Sequence, residues 1–213
     1  MPTTRPQTIA LAGVGDLGKY TCEELLASPR FSVIVLSRGK QKEKWFTERQ
    51  IRVYTTDYTV PSLLSILETT STTTLISFIN DPTPGYVTTH TALLTACQQS
   101  HSCKRLIPSE WIGDSETYPL KPDYYATSRE PFRNTLRAQK EIEWTLFNVG
   151  WLMDYFLPAR KTWMKPVPGK FPVDLEGWSA LVRGSGEEVQ SWTYGRDGGG
   201  GVVALCGADE WVG

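Results

Sequence analysis

With 213 residues the chain is long enough for one sizeable hydrophobic core, and ordinary domain sizes point to one α/β domain plus a small appendage rather than two full domains. Its 22 basic and 23 acidic residues leave a formal net charge of -1, so no electrostatic field would gather nucleic acid or a membrane surface, and neither is an expected partner. The 4 cysteines, Cys22, Cys97, Cys103 and Cys206, are scattered without a paired metal-ligand spacing and are expected to be reduced and structural, and no metal is expected.

The first segment, Met1 to Gln7, is short and polar and leads into only a brief apolar stretch, without a signal-peptide core or a membrane span, so a soluble, cytoplasmic protein is expected. Strand-length apolar runs then alternate with helix-length segments. Ile9 to Ala12 reads as a strand, Lys19 to Ala27 as a helix, Val33 to Leu36 as the second strand, Val53 to Thr55 as the third and Ser62 to Glu68 as a helix. Leu75 to Ile79 is the fourth strand, Val87 to Gln98 the next helix, and Leu106 to Pro108 the fifth strand. A stretch rich in Pro, Asp and Tyr follows, Asp114 to Ser128, then a helix from about Pro131 to Ile142 and a sixth strand from Trp144 to Asn148.

This alternation predicts an α/β fold of Rossmann type, a doubly wound parallel sheet whose ligand site lies at the carboxyl ends of the strands. The dinucleotide-binding domain is placed at 1–157, and 158–213 is read as a small, incomplete substrate-binding subdomain. Pro158 to Pro172 lacks periodicity; the four glycines after Asp197 read as a helix entry or a flexible loop before a helix at Val202 to Cys206. Five late tryptophans, Trp151, Trp163, Trp178, Trp192 and Trp211, line a pocket or fill a core.

The chemistry begins with Gly13-x-Gly15-x-x-Gly18, directly after a strand and opening a helix. The first glycine permits a tight turn. The second lets backbone amides approach a pyrophosphate, aided by the positive end of the helix, and the third lets helix and strand pack closely. Asp16 and Leu17 within the turn are counted with these as cofactor-binding residues. NAD-selective sites carry an acidic residue at the end of the second strand, but here the strand ends in Ser37 and Arg38, with Lys40 beyond. These side chains would donate to a 2′-phosphate, so NADP(H) is favoured over NAD(H); the alternative for Arg38 is a place in a solvated loop. Asn80 after the fourth strand and Ser109 after the fifth, with Glu110, are further cofactor-edge candidates, Ser109 and Glu110 serving otherwise as cap and turn. His90 is read as a satisfied residue of its helix, and a general-acid role for Asp81 has little support.

Several segments in order resemble the NmrA-like and isoflavone-reductase-like family of atypical short-chain dehydrogenases, in particular its fungal members. Besides the glycine turn and Leu75 to Ile79, these are Arg105-Leu106-Ile107-Pro108-Ser109-Glu110-Trp111, similar to the family's R-F-x-P-S-E-F, and Trp144-Thr145 followed by Gly150 to Phe156. Gly184-Ser185-Gly186 and Thr193 to Asp197, followed by Gly198 to Leu205, resemble its late glycine corner and its D-x-G-x-x-x-A-x-L segment. The resemblance implies a dinucleotide-binding domain with a smaller substrate domain. It also implies NADP(H)-dependent reduction of a carbonyl or enone on an aromatic or polyketide-like small molecule in fungal secondary metabolism. Other members are regulators that bind NAD(P) without turnover and act through a protein partner.

Two departures bear on catalysis. The plant reductases of this family carry a catalytic Lys where this chain has Arg129 or Glu130, and Arg is a poor proton shuttle at neutral pH. Tyr125 with Arg129 echoes the Tyr-x-x-x-Lys of ordinary short-chain dehydrogenases, in which a cation lowers the phenol's pKa, so Tyr125 is the candidate proton donor and Arg129 its electrostatic partner; the alternative is an ordinary surface pair. The family pattern also continues beyond the segment matched by Val202 to Trp211, so part of the substrate domain is expected to be missing.

Overall fold

Two aliphatic runs set the centre of the fold. Gln7–Ala12 forms β1 and Phe31–Ser37 forms β2, bridged by helix α1 (Asp16–Leu26), and the strands pair in parallel with Leu11 opposite Val35. The computed structural model describes residues 6–39, 44–165, 171–182 and 184–211. After β2 come a short helix α2 (Lys44–Glu48) that sequence reasoning missed, β3 (Arg52–Thr55), α3 (Val60–Thr70) and β4 (Thr72–Ser77). Then follow α4 (Gly85–Gln99), β5 (Arg105–Ile107), α5 (Arg129–Ala138) and β6 (Glu143–Trp144). All six strands run parallel in the order β3-β2-β1-β4-β5-β6, so the winding direction reverses between β1 and β4. In open α/β sheets that reversal opens the crevice where ligands bind.

Both faces of the sheet are covered, as parallel sheets require. Ala10, Ala12, Leu36 and Leu75 pack beneath α3, α4 and α5 with Leu63, Leu93 and Phe132. Ile9, Leu11, Val35, Ile76 and Ile107 pack on the other side with Cys22 and Leu25 of α1. The 4 cysteines are free thiols and buried, as expected of structural residues.

Three expectations need correction. Helix α5 opens at Arg129 and stops at Ala138, because the Gln139 side chain accepts the amides of Glu141 and Ile142 at 2.9 and 3.1 Å and turns the chain. The sixth strand is shorter than expected, since beyond Thr145 the backbone pairs with the loop after β5 instead, through Trp111 N to Phe147 O at 3.2 Å and Val149 N to Ile112 O at 3.0 Å. The run of four glycines lies inside helix α6 (Gly195–Cys206), preceded by β7 (Trp151–Leu152), the hairpin β8 (Val173–Asp174) and β9 (Ser179–Ala180), and β10 (Trp192–Thr193). These glycines let α6 lie against α1: a Cβ on Gly199 would stand 3.1 Å from the Tyr20 carbonyl oxygen and 3.2 Å from Thr21 Cα.

Val202 and Cys206 of α6, with Trp211, complete the core face that contains Ile9 and Ile76, so this part of 158–213 packs as a layer of the same fold as the sheet. The buried carboxylate of Asp154 anchors the helix by accepting the Gly195 amide at 2.5 Å. The late tryptophans divide: Trp211 is core, Trp151 and Trp192 join an aromatic group with Phe156 and Phe171, and Trp178 is 93% exposed.

Candidate functional site

β1 delivers the chain to Gly13, whose φ of +75° suits glycine, and a Cβ there would stand 2.7 Å from Ile79 Cγ1 at the end of β4. The turn is held from β2: Gly13 N donates to the Leu36 carbonyl at 3.3 Å, and the Tyr58 hydroxyl donates to the same oxygen at 2.8 Å. Tyr58, two residues before α3, is buried, its phenol pushed up to about 12 by that burial, and no spacing in the sequence marks it. Gly18 packs α1 onto the Phe78 ring, 3.2 Å from where a Cβ would be.

Gly15 differs from both. It caps α1 with φ of -101° and no side-chain cap, and a Cβ built on it meets nothing within 4 Å. The space outside Gly15 is open, facing the first amides of α1, which in any helix lack intrahelical partners. That is the cradle a pyrophosphate needs. Asp16 turns its carboxylate away, accepting the Lys165 amide at 3.2 Å, so its contribution at this edge is its backbone; Leu17 packs among Tyr20, Val149 and Met164.

At the end of β2, Ser37 Oγ accepts the Gly39 amide at 3.2 Å, and the exposed Arg38 guanidinium lies 5.4 Å from the centre of the Tyr58 ring. The Asp81 carboxyl is held below its usual range, first by the Thr83 hydroxyl and amide and less strongly by the charges of Arg129 and Arg38. The loops after β2 and β4 therefore converge on one edge. Lys40 lies outside the described residues.

His90 joins the ends of β4 and β5 from α4. Its Nε2 accepts from the Ser109 amide at 3.4 Å and lies 3.0 Å from the Ser77 hydroxyl, so the other nitrogen carries the proton and donates to the Tyr86 carbonyl at 3.0 Å. Burial holds this ring neutral, its pKa lowered to about 3. The Ser109 carbonyl accepts from the Tyr86 hydroxyl at 3.1 Å, and Trp111 stacks on Phe78 at 4.5 Å while donating to the Ser77 carbonyl at 2.8 Å. Ser109 is thus buried framework after β5, while Asn80, after β4, is exposed.

The Tyr125 and Arg129 pair departs from its expected geometry. Tyr125 sits in a 3-10 turn, Asp123–Ala126, while Arg129 opens α5, so the two do not share a helix; both are buried, at 2% and 1% exposure. The guanidinium lies 5.4 Å from the phenol ring, yet burial raises the phenol's pKa and outweighs the lowering by Arg129 and Arg133. The expected activation of the phenol by the cation is therefore corrected: desolvation dominates. Arg129 donates instead to the Asp81 carbonyl and, at 3.0 Å, to Asn80 Oδ1. The Tyr125 hydroxyl is buried without a protein partner, and the residue contributes to the lining of a cavity of about 270 Å³ with Ile112, Asp114, Tyr118 and Pro122.

Among the described residues no group of three or more His, Cys, Asp or Glu is placed to hold a metal ion, and no helix is long and apolar enough to cross a membrane. The strand order, the reversal between β1 and β4 and the glycine turn beneath it define a Rossmann-type α/β protein. No family model matches the chain. It is 37% identical over 200 residues to a protein named Oxidoreductase swnR of Arthroderma benhamiae, covering 94% of this chain and 64% of the relative, so it spans less than two thirds of that relative's length. Among solved structures it resembles AtPrR2, determined with NADP+ and (+)pinoresinol, with a TM-score of 0.70 and 18% identity over 97% of this chain and 67% of the other. It also resembles the leucoanthocyanidin reductase of Vitis vinifera in complex with NADPH, with a TM-score of 0.65 and 18% identity over 90% of this chain and 62% of that one.

Proposed function

We propose that the chain carries the nucleotide site of an NADP(H)-dependent oxidoreductase of isoflavone-reductase-like type. In this reading it reduces a carbonyl or enone of an aromatic or polyketide-like small molecule in fungal secondary metabolism. One observation carries it: the open face at Gly15 lies at the amino end of α1, and the adjacent β2 ends in Ser37 and Arg38 rather than in a carboxylate. The oxidoreductase name of the fungal relative and the nicotinamide nucleotides in the two solved reductases support the same reading.

The residues fit their parts. The backbone at Gly13 to Gly18 would hold the pyrophosphate, and Arg38 and Ser37 a 2′-phosphate, with Arg38 braced over Tyr58. Asn80 and Ser109 would border the nicotinamide end. When bound, the nucleotide supplies the hydride. Tyr125 keeps its proton, and its hydroxyl, buried without a protein partner, is a spare hydrogen-bond donor behind the cavity that the residue helps to line; it would reach a substrate oxygen only if the site opens around it. Calorimetric titration should show NADP+ bound at least about tenfold more tightly than NAD+, the contribution of one charge-assisted contact, with the preference lost in Arg38→Ala. Tighter binding of NAD+ than of NADP+ would refute the assignment of Arg38.

A second reading, a nucleotide-binding regulator that acts through a protein partner, is favoured by the raised pKa of Tyr125 and the engagement of Arg129 with the β4–α4 loop. Nucleotide binding with no NADPH consumption across a panel of enones and aryl ketones would select it.

A further inference from the structure

Arg129 and Arg133 stand one turn apart on α5, and at 1% and 0% exposure they are the largest fully buried side chains among the described residues. Their environments differ. Arg133 meets Glu110 with two prongs, Nε to Oε1 at 3.1 Å and Nη2 to Oε2 at 2.6 Å, while Nη1 donates to the Pro119 carbonyl at 2.8 Å and to Glu130 at 3.4 Å. This is a compensated buried pair that pins the loop after β5.

Arg129 has no carboxylate partner among the described residues. Its donors meet the neutral carbonyl of Asp81, the amide oxygen of Asn80 at 3.0 Å and, weakly, Ser128 Oγ at 3.5 Å, and its Nε is buried with no partner. The guanidinium rests on aromatic faces, 3.9 Å from the centre of the Tyr86 ring and 5.4 Å from that of Tyr125. A buried cation hydrogen-bonded only to neutral acceptors, with the Asp81 carboxylate close enough to feel its charge but not in contact, is a costly way to fill space, and an apolar side chain would fill it better. Its distinctive product is the placement of Asn80 and Asp81. These two residues follow Ile79, the side chain that lies against Gly13, so the loop held by Arg129 is the one that meets the glycine turn.

We propose that Arg129 is a positioning residue of the nucleotide site, clamping the Asn80–Asp81 loop against the glycine turn and keeping a fixed positive charge beneath it, with no part in proton transfer. This rests on the nucleotide-site reading above. A guanidinium holds its proton throughout the working pH range, so it does not relay one; its planar fork reaches a carbonyl and an amide oxygen together, which the single ammonium of lysine does not do in the same geometry.

The test is Arg129→Lys in the full chain, read in three ways: hydrogen exchange of the nucleotide-free protein, calorimetric binding of NADP+, and melting temperature. Exchange should rise in peptides covering residues 78–86 and stay unchanged in 109–122, which Arg133 holds, and NADP+ affinity should fall about tenfold, as for the loss of one charge-assisted hydrogen bond. Asn80→Ala, at an exposed position, should weaken NADP+ in the same direction, and combining it with Arg129→Lys should add little, because the two remove one shared contact. Wild-type exchange and affinity in Arg129→Lys would overturn the proposal, as would a loss of affinity accompanied only by global loosening and a lower melting temperature. If the wild-type chain fails to bind NADP+, the nucleotide reading falls, and the exchange arm still decides whether Arg129 clamps the loop.

Discussion

The two ends of the candidate site are built by different means. At the glycine turn the backbone faces the ligand and is braced from behind by the Leu36 carbonyl of β2, the Ile79 side chain just beyond β4 and the Tyr58 hydroxyl before α3. At the Tyr125 corner the side chains are themselves the structure: two buried guanidiniums, a buried Glu110 and a neutral His90 tie α4, α5 and the strand ends together. The first end is open space bounded by amides. The second is a dense polar core, in which a charge is set by what surrounds it. The same side chain can therefore be a reagent or a strut, and burial with its partners decides which.

The contrast can be broken most forcefully at Arg133. Arg133→Met leaves Glu110, whose side chain is 1% exposed, without its partner, and should cost about 3–5 kcal/mol in urea unfolding. A loss below about 1 kcal/mol, the usual worth of an exposed ion pair, would show that this corner is solvated rather than a polar core.

His90 provides a second handle, through pH. Its ring titrates at about 3 in the folded chain against 6.5 for an ordinary histidine, so the unfolded chain takes up the proton first. Its contribution to stability is complete above pH 6.5 and is lost as pH falls toward 3. Below pH 6.5 the slope should approach about 1.4 kcal/mol per pH unit, and His90→Leu should flatten it between pH 6.5 and 5, where few carboxylates titrate. An unchanged slope in that variant would place the pH dependence elsewhere.

The same physical division explains what the chain revealed before its structure was known. The glycine turn was legible because a positive φ and a close approach admit few other residues, and the parallel sheet was legible because strands buried on both faces read as continuous apolar runs. Tyr58, by contrast, is one tyrosine among 9, and its place over the turn comes from the path between β3 and α3, which no local spacing encodes. Arg129 and Tyr125 were visible as a spaced pair, but their electrostatic balance was not. Desolvation that outweighs two cations is a property of the folded interior, and the neighbouring Tyr124 and the Glu110 carboxylate at the end of β5 push the phenol in the same direction. The four glycines misled for a related reason: their use inside α6 becomes apparent only once α1 lies against them.

The smallest structural change gives the most direct test of the nucleotide site. Gly15→Ala adds one methyl group where the protein offers no contact within 4 Å and where φ is already negative, so unfolding stability should stay within about 0.5 kcal/mol of wild type. In Gly13→Ala, with φ of +75° and Ile79 at 2.7 Å, the strain should instead cost about 1–3 kcal/mol. Calorimetry of Gly15→Ala with NADP+ is the decisive measurement: the account predicts a correctly folded protein with NADP+ affinity reduced at least about tenfold, since the methyl stands where the pyrophosphate meets the backbone. Wild-type affinity in a folded Gly15→Ala protein would contradict it.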